Sequence, residues 1–566
     1  MKPIIYQLFP RWFTNYNETC INNGSIEQNG CGKMNGFTPR ILNSIKELGI
    51  THVWFTGVIE HAHATDYSRY GITPDNPHVV KGKAGSPYAI SDYYDIDPDI
   101  AVNVPKRLEE FEALVERTHA AGMKVIIDFV PNHVARRYFS DAKPVGISDF
   151  GANDDNSQFF SPLNDFYYIT RQQFSPSIDL GQGDDAYIEF PAKASGNDCF
   201  SAFPGKNDWY ETVKLNYGVD YGDNSRHFDP IPPLWFKMLH ILRYWASKGI
   251  DGFRCDMVFM VPLEFWTWAI PAVKKDYPDL IFIGEIYDVN IYKDFLDAGF
   301  DYLYDKVNLY DTLRLIECSN VSAAQLTDCW QRIDSVKDKM LNFLENHDEQ
   351  RFASEFYASD PALVIPSLVV SATISNGPVM IYAGQELGEP ANDSEGFSGK
   401  DGRTTIFDYW SLSTLRRWLN SGKPSTDKLT DREKWLREQY AKILTLCNEE
   451  NALSNGDFFD LMYVNYQNKT FDPHRQYAYM RYDKDSLLVI AVNFGTNSCD
   501  MMINIPQLAI NMSDFKVGKY EAVELLSGKK AEKYFSAEQP FNTFISAHSA
   551  VIWKISKKKR PDNNKK

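Results

Sequence analysis

Two short runs, Gly249-Ile-Asp-Gly-Phe-Arg-Cys-Asp256 and Leu280-Ile-Phe-Ile-Gly-Glu285, decide the fold. Each reads as a strand ending in a carboxylate, and the segment between them, Val261 to Tyr277, reads as a helix closed by Pro278. Strand side chains alternate between faces, so Gly252, Arg254 and Asp256 share one face, as do Ile281, Ile283 and Glu285 in the second run. A strand, a helix and a strand of these lengths predict a parallel βαβ crossover. The two carboxylates then stand at the same ends of neighbouring strands and face one cavity. Glycine at 284 reads as room for a close approach by substrate to Glu285.

Working outward, the same alternation recurs. Pro3 to Phe9, Thr51 to Gly57 and Lys124 to Val130 read as earlier strands, the last almost wholly apolar, as a parallel strand covered on both faces should be. Helices are predicted after Thr38-Pro39, after Pro105 and over Pro232 to Lys248. Phe300 to Leu303, Met340 to Leu344 and Pro378 to Tyr382 complete eight strands. The prediction is an α/β fold, a (β/α)8 TIM barrel over 1–132 and 224–455, with an inserted domain after the third strand, 133–223. An open doubly wound sheet competes, but no Gly-rich phosphate loop follows an early strand. Thr430 with Glu433 forms a capping box for a late helix. From 456 to 556 short alternating runs predict a C-terminal antiparallel β-sandwich, and 557–566 reads as a basic, disordered tail.

The net charge of −16 over 566 residues disfavours nucleic acid and anionic membrane as partners and is compatible with a neutral substrate. Met1 to Arg11 is broken by Gln7, Pro10 and Arg11, so it has no signal-peptide core, and no apolar run reaches membrane length. Eight scattered cysteines show no disulfide framework. The expectation is a cytoplasmic protein; its oligomeric state is unreadable.

In a barrel of this type the strand C-termini build the site. They carry Asp128 to His133, Arg254 and Asp256, Glu285, and Glu345-Asn-His-Asp348. Asp128 is read as structural, holding Arg254 in place. Arg254 with Asp256 could be an ion pair alone, and His133 or His347 could be core residues or metal ligands. The His-x-His spacing of barrel metal sites occurs only at His61 and His63, beyond strand two, which argues against a catalytic metal. Three carboxylates in one cleft fit glycoside cleavage with retention: an ionised nucleophile, a protonated acid and a third group that stabilises positive charge. Arg254 would keep Asp256 ionised, and burial among negative neighbours would raise Glu285.

The segments Asp128-Phe-Val-Pro-Asn-His133, Gly252-Phe-Arg-Cys-Asp256, Gly284-Glu285 and Asn346-His-Asp348 resemble the four signature regions of the α-amylase superfamily of retaining glycoside hydrolases, in order and spacing. Lys214-Leu-Asn216 resembles its fifth region, Gly377 to Glu386 its eighth-strand motif, and Ser86-Pro-Tyr88 the loop whose tyrosine stacks on the attacked sugar. The resemblance implies Asp256 as nucleophile, Glu285 as acid/base and Asp348 as transition-state stabiliser, with Tyr88, His133, Arg254 and His347 binding substrate. It implies α-linked glucans or gluco-oligosaccharides as substrates and an oligosaccharide-acting or neopullulanase-like branch. The family's lysine-histidine pair after the nucleophile is replaced here by Phe259-Met260, which suggests a different acceptor site. Chemistry needs no cofactor; a structural calcium at Asn132 is left open. The alternatives are a 4-α-glucanotransferase-like transglycosylase, a sugar isomerase, or an inactive binding subunit. Linkage specificity, endo or exo action and chain-length preference are not legible in the sequence.

Overall fold

The computed structural model describes residues 2–397 and 399–557. The predicted basic tail therefore lies outside the described residues, apart from Lys557.

Eight parallel strands close into a barrel: β1 Ile4–Leu8, β2 His52–Phe55, β3 Lys124–Phe129, β4 Gly252–Cys255, β5 Ile281–Gly284, β6 Tyr302–Tyr304, β7 Met340–Phe343 and β8 Val379–Tyr382. Each pairs with the next in sequence, and β8 closes on β1 through Ile4 opposite Val379. They are the eight strands read from the sequence, trimmed by one to three residues, except that β6 starts two residues later than read and runs one residue further, to Tyr304. The inward-facing residues of these strands, such as Ile5, Trp54, Ile126, Ile283, Phe343 and Met380, are buried and leave the barrel a packed core rather than a pore, while Val53, Val125, Ile127, Phe253 and Phe282 face the helices.

Helices connect the strands on the outside, among them Pro39–Lys46, Arg107–Ala120, Pro233–Ala246 and Leu263–Lys274. Helix Pro39–Lys46 starts where Thr38 caps the N–H of Ile41, with proline at its first position. In helix Arg107–Ala120, which is the one predicted after Pro105, His119 is exposed and pairs with Asp251 at 2.7 Å. The buried stripe runs instead through Phe111, Leu114, Val115 and Thr118.

The segment after β3 contains short strands, and His133–Ala135 pairs antiparallel with Thr212–Lys214, which brings the fifth-region residues against the end of β3. Helix Asp431–Glu449 carries both halves of the predicted capping box. Beyond it lie a six-stranded and a two-stranded antiparallel sheet. The last two strands, Phe541–Ile545 and Ser549–Ser556, are separated by a turn at His548, whose φ is 42°. The six-stranded sheet also contains the hairpin Gly518–Glu524 and Lys530–Phe535, whose Lys- and Glu-rich strands hid it from a hydrophobic reading. Arg481 ties this sheet to the barrel, donating to the carbonyls of Thr373 at 2.8 Å and Gly456 at 3.0 Å.

Candidate active site

The strands β3, β4 and β5 are in register, so Arg254 lies opposite Asp128 on one side and Ile283 on the other. The fully buried Arg254 guanidinium reaches three carboxylates. Its Nη1 donates to Asp256 Oδ1 at 2.7 Å and lies 3.5 Å from Asp128 Oδ1, while Nη2 lies 2.7 Å from Glu285 Oε2. Its Nε donates to Tyr304 at 3.1 Å, and the rings of Trp54, Tyr88 and Tyr304 surround it within 5.4 Å.

The chain leaves β4 through Met257 in the left-handed region, at φ 42°. A non-glycine residue there costs on the order of 1 kcal/mol or more. The turn aims the Met257 N–H at Glu285 Oε2, 3.0 Å away. The other carboxyl oxygen, Oε1, accepts from Tyr287 at 2.5 Å. At the end of β7, Asn346 Oδ1 accepts the N–H groups of Asp348 and Glu349 at 2.9 and 3.0 Å, a side-chain turn that sets Asp348 at the mouth. His347 is held by a chain of hydrogen bonds. Gln7 donates to its Nδ1 at 2.8 Å, its Nε2 meets Tyr88 at 2.6 Å, and Tyr88 donates on to Asp128 at 3.4 Å. Trp54 completes the hold on Asp128 at 2.9 Å. Asp128 thus anchors Arg254 and Tyr88 from below, the structural role expected for it.

Tyr88, His133, Asp256, Glu285, His347 and Asp348 line one cavity of about 860 Å³ at the barrel mouth. Arg254 lies beneath them and contacts the two carboxylates rather than the open space. The sequence reading missed Trp209, Met257, Tyr287 and Phe407, which share the lining. They come from irregular segments with no periodic signal. Gly284 does not open the cavity to substrate. A Cβ there would meet Leu303 at 2.8 Å and Phe300 at 3.2 Å, so glycine is required by packing against β6. Phe259 and Met260 line a second cavity of about 710 Å³, which shares Trp209 and Met257 with the first.

Electrostatics separate the three carboxylates. Burial, reinforced by Asp256 and Asp348 and opposed by Arg254, pushes Glu285 up to about 7. Burial also raises Asp256, against the pull of Arg254. Burial alone would raise Asp348, but His347, Arg254 and Arg403 outweigh it and hold this carboxyl below its ordinary value. His133 is pushed down to about 3 by burial and by Lys214 and Lys81, so it is neutral near pH 7.

Asn132 is the position at which the resemblance implies calcium. Its Oδ1 instead accepts from the buried Lys214 ammonium, which also lies 2.7 Å from Asp198 Oδ1 and donates to the Met260 carbonyl at 3.0 Å. Asn132 Nδ2 is spent on Gly196 and His133. Three oxygens from three segments already surround one positive charge, and a calcium ion does not fit beside it. Among the described residues no group of three or more His, Cys, Asp or Glu side chains could hold a metal. His61 instead lies against Arg11 and 3.7 Å from Asp97.

A closed (β/α)8 barrel with three carboxylates around one buried arginine at its C-terminal mouth defines a class of sugar-processing barrels, and comparison with known proteins agrees. The family model described as "Alpha amylase, catalytic domain" matches residues 7–454, and the chain belongs to that family. An α-amylase of Streptomyces lividans is 24% identical over 470 residues, covering 75% of this chain and 47% of the relative. α-Amylase 2 of Dictyoglomus thermophilum is 23% identical over 465 residues, covering 81% of this chain and 65% of the relative. The chain thus spans about half to two thirds of the length of these relatives. The crystal structure of a maltogenic α-amylase from Thermotoga neapolitana shares the fold with a TM-score of 0.63 at 18% identity, covering 98% of this chain and 99% of its own. No helix among the described residues is long and apolar enough to cross a membrane.

Proposed function

We propose that the protein is a retaining glycoside hydrolase that cleaves α-glucosidic bonds in α-glucans or malto-oligosaccharides through a covalent glycosyl-aspartate intermediate. The observation that carries this is the sharing of one guanidinium, Arg254, by Asp256 and Glu285, each at 2.7 Å. Each carboxyl contacts one nitrogen of that guanidinium, and a hydrogen bond links Glu285 to Asp256, so the two stand side by side. That favours retention, for which about 5 Å suits, over inversion, which needs roughly 6.5–9.5 Å.

In the first step Asp256 attacks the anomeric carbon while Glu285 gives its proton to the glycosidic oxygen, and the C–O bond breaks towards the leaving sugar. Arg254 disperses the charge of the nucleophile, and Asp348, held ionised by its cationic neighbours, offsets positive charge developing on the ring. In the second step Glu285, now a carboxylate, takes a proton from water, whose oxygen bonds to the anomeric carbon as the Asp256 ester departs. Tyr88, His133 and His347 shape the subsite for the attacked ring. The family and the activities printed for its members support an α-glucan as substrate.

A second reading, transglycosylation, is favoured by the adjoining cavity walled by Phe259, Met260 and Trp209. An apolar acceptor chamber beside the intermediate lets a sugar hydroxyl compete with water.

The test is a product time course with maltoheptaose, pullulan and panose, run beside Asp256→Asn. Products shorter than the substrate, lost on the order of 10⁴-fold in the variant, are expected. Products longer than the substrate select the transfer reading. Unchanged turnover in Asp256→Asn refutes the assignment.

A further inference from the structure

We propose that Tyr287 is a positioning residue that decides which oxygen of Glu285 carries the catalytic proton; this rests on Glu285 acting as the acid/base. Glu285 has two unlike oxygens. Oε2 accepts the Met257 N–H at 3.0 Å and lies 2.7 Å from Arg254 Nη2, so a hydrogen-bond donor and a positive charge both press on it. A proton on Oε2 would be set against both. Oε1 faces no cation and accepts from the Tyr287 hydroxyl at 2.5 Å. The proton therefore rides on Oε1, and Tyr287 fixes the direction in which it points.

Tyr287 is itself held. It lies in the cavity lining beside Glu285, and its ring meets the edge of Phe259 with centroids 6.0 Å apart. Phe259 stands in the wall of the second cavity. The phenol thus spans from the acid/base to the side on which the leaving sugar would sit, and a leaving group pressing on Phe259 pushes on the group that aims the proton. The charged and titratable groups facing Glu285 are Arg254, Asp256, Asp348 and Tyr287, with Asp128 and Tyr304 also within electrostatic reach. Of these, Arg254 and Tyr287 favour its carboxylate, and Tyr287 is the one that engages Oε1.

The chemistry assigns Tyr287 two effects. In glycosylation, its hydrogen bond to Oε1 strengthens as Glu285 loses its proton to the glycosidic oxygen, so it stabilises the carboxylate being formed. In deglycosylation the same bond holds Oε1 towards the incoming water. Each effect matters most when the leaving group is poor and needs full protonation.

The experiment compares wild type, Tyr287→Phe and Glu285→Gln on maltotriose and on 4-nitrophenyl α-maltoside, with thermal unfolding as a control for folding. Phenylalanine keeps the ring and its contact with Phe259 and removes only the hydroxyl. Tyr287→Phe is expected to lose about 10- to 100-fold in kcat on maltotriose and severalfold less on the activated nitrophenyl substrate. Its alkaline limb of kcat/KM is expected to move up by roughly half to one pH unit, because a donor to the carboxylate is gone. A merely structural tyrosine would lower both substrates equally and leave the limb in place, and that result overturns the proposal. If Glu285→Gln itself hydrolyses maltotriose normally, the acid/base reading falls first. If Glu285→Gln is inactive and Tyr287→Phe matches wild type in rate and pH profile, only the role of Tyr287 is refuted.

Discussion

Replacing Glu285 with glutamine should make the protein more stable at neutral pH while removing its activity. The folded protein holds Glu285 at about 7 against an ordinary value of 4.5, chiefly because the carboxyl is buried. Below pH 4.5 the group is protonated in both states and contributes no difference. Between 4.5 and 7 the unfolded chain releases the proton and the folded chain keeps it, so stability falls as pH rises through that window, by about 1.4 kcal/mol per unit. Above 7 both states are ionised and the loss levels off at about 3 kcal/mol. Glutamine cannot ionise, so the variant lacks this slope; Asp256, also raised by burial, titrates in both proteins. For 566 residues, an unfolding entropy of about 2.1 cal/mol/K per residue converts 3 kcal/mol into about 3 °C if the chain melts as one unit. The assay is calorimetry of both proteins at half-unit steps from pH 4.5 to 8. The variant's advantage in Tm should be least at the acid end, grow to about 3 °C by pH 7 and then stay constant. The wild type's kcat/KM should fall over the same range in which the advantage saturates, since one proton governs both. A Tm difference that is flat from pH 4.5 to 8, or that shrinks as pH rises, would refute the reasoning.

Two further outcomes follow from the cavity walls and the buried ammonium. Excess chelator should leave Tm and activity unchanged, whereas Lys214→Ala, which strips the positive charge from Asn132, Asp198 and the Met260 carbonyl, should destabilise by about 1–3 kcal/mol, read by calorimetry; a drop in wild-type Tm on adding chelator would sink this. Phe259→Asn should lower the ratio of transfer to hydrolysis products from maltotriose severalfold, by admitting water beside the intermediate; chromatography showing an unchanged ratio would detach the second cavity from acceptor selection.

The barrel was legible because its signal is local and repeated: eight largely apolar strands, several of them leading into polar residues such as Thr56, Asp256, Glu285 and Asp305. Asp256, Glu285 and Asp348 could be named because they stand where strand periodicity ends. What resisted reading came from contacts between distant segments. Lys214 looks like an ordinary strand lysine until Asn132, Asp198 and Met260 are brought around it, from 82, 16 and 46 positions away. Gly284 was misread because its neighbour across β6 was unknown; the missing side chain is demanded by Leu303 and Phe300, not by substrate. The C-terminal hairpin hid because the exposed faces of its strands carry Lys519, Glu521, Lys530 and Glu532, while the faces between them offer few large apolar residues.

Tyr287 shows why a motif names the acid/base but not what tunes it. Two residues after Glu285, in a strand, it should share that side chain's face, and this much the sequence contains. That the chain leaves β5 so as to bring the phenol back onto Oε1 depends on Met257, whose left-handed turn supplies the N–H that occupies Oε2. A turn after β4 thereby selects the reactive oxygen of a carboxylate on β5. Neither residue carries a charge, and each acts only through the geometry at the end of the other's strand. The sequence can therefore place a proton on Glu285, but only the packed barrel mouth decides which of its oxygens can give that proton away.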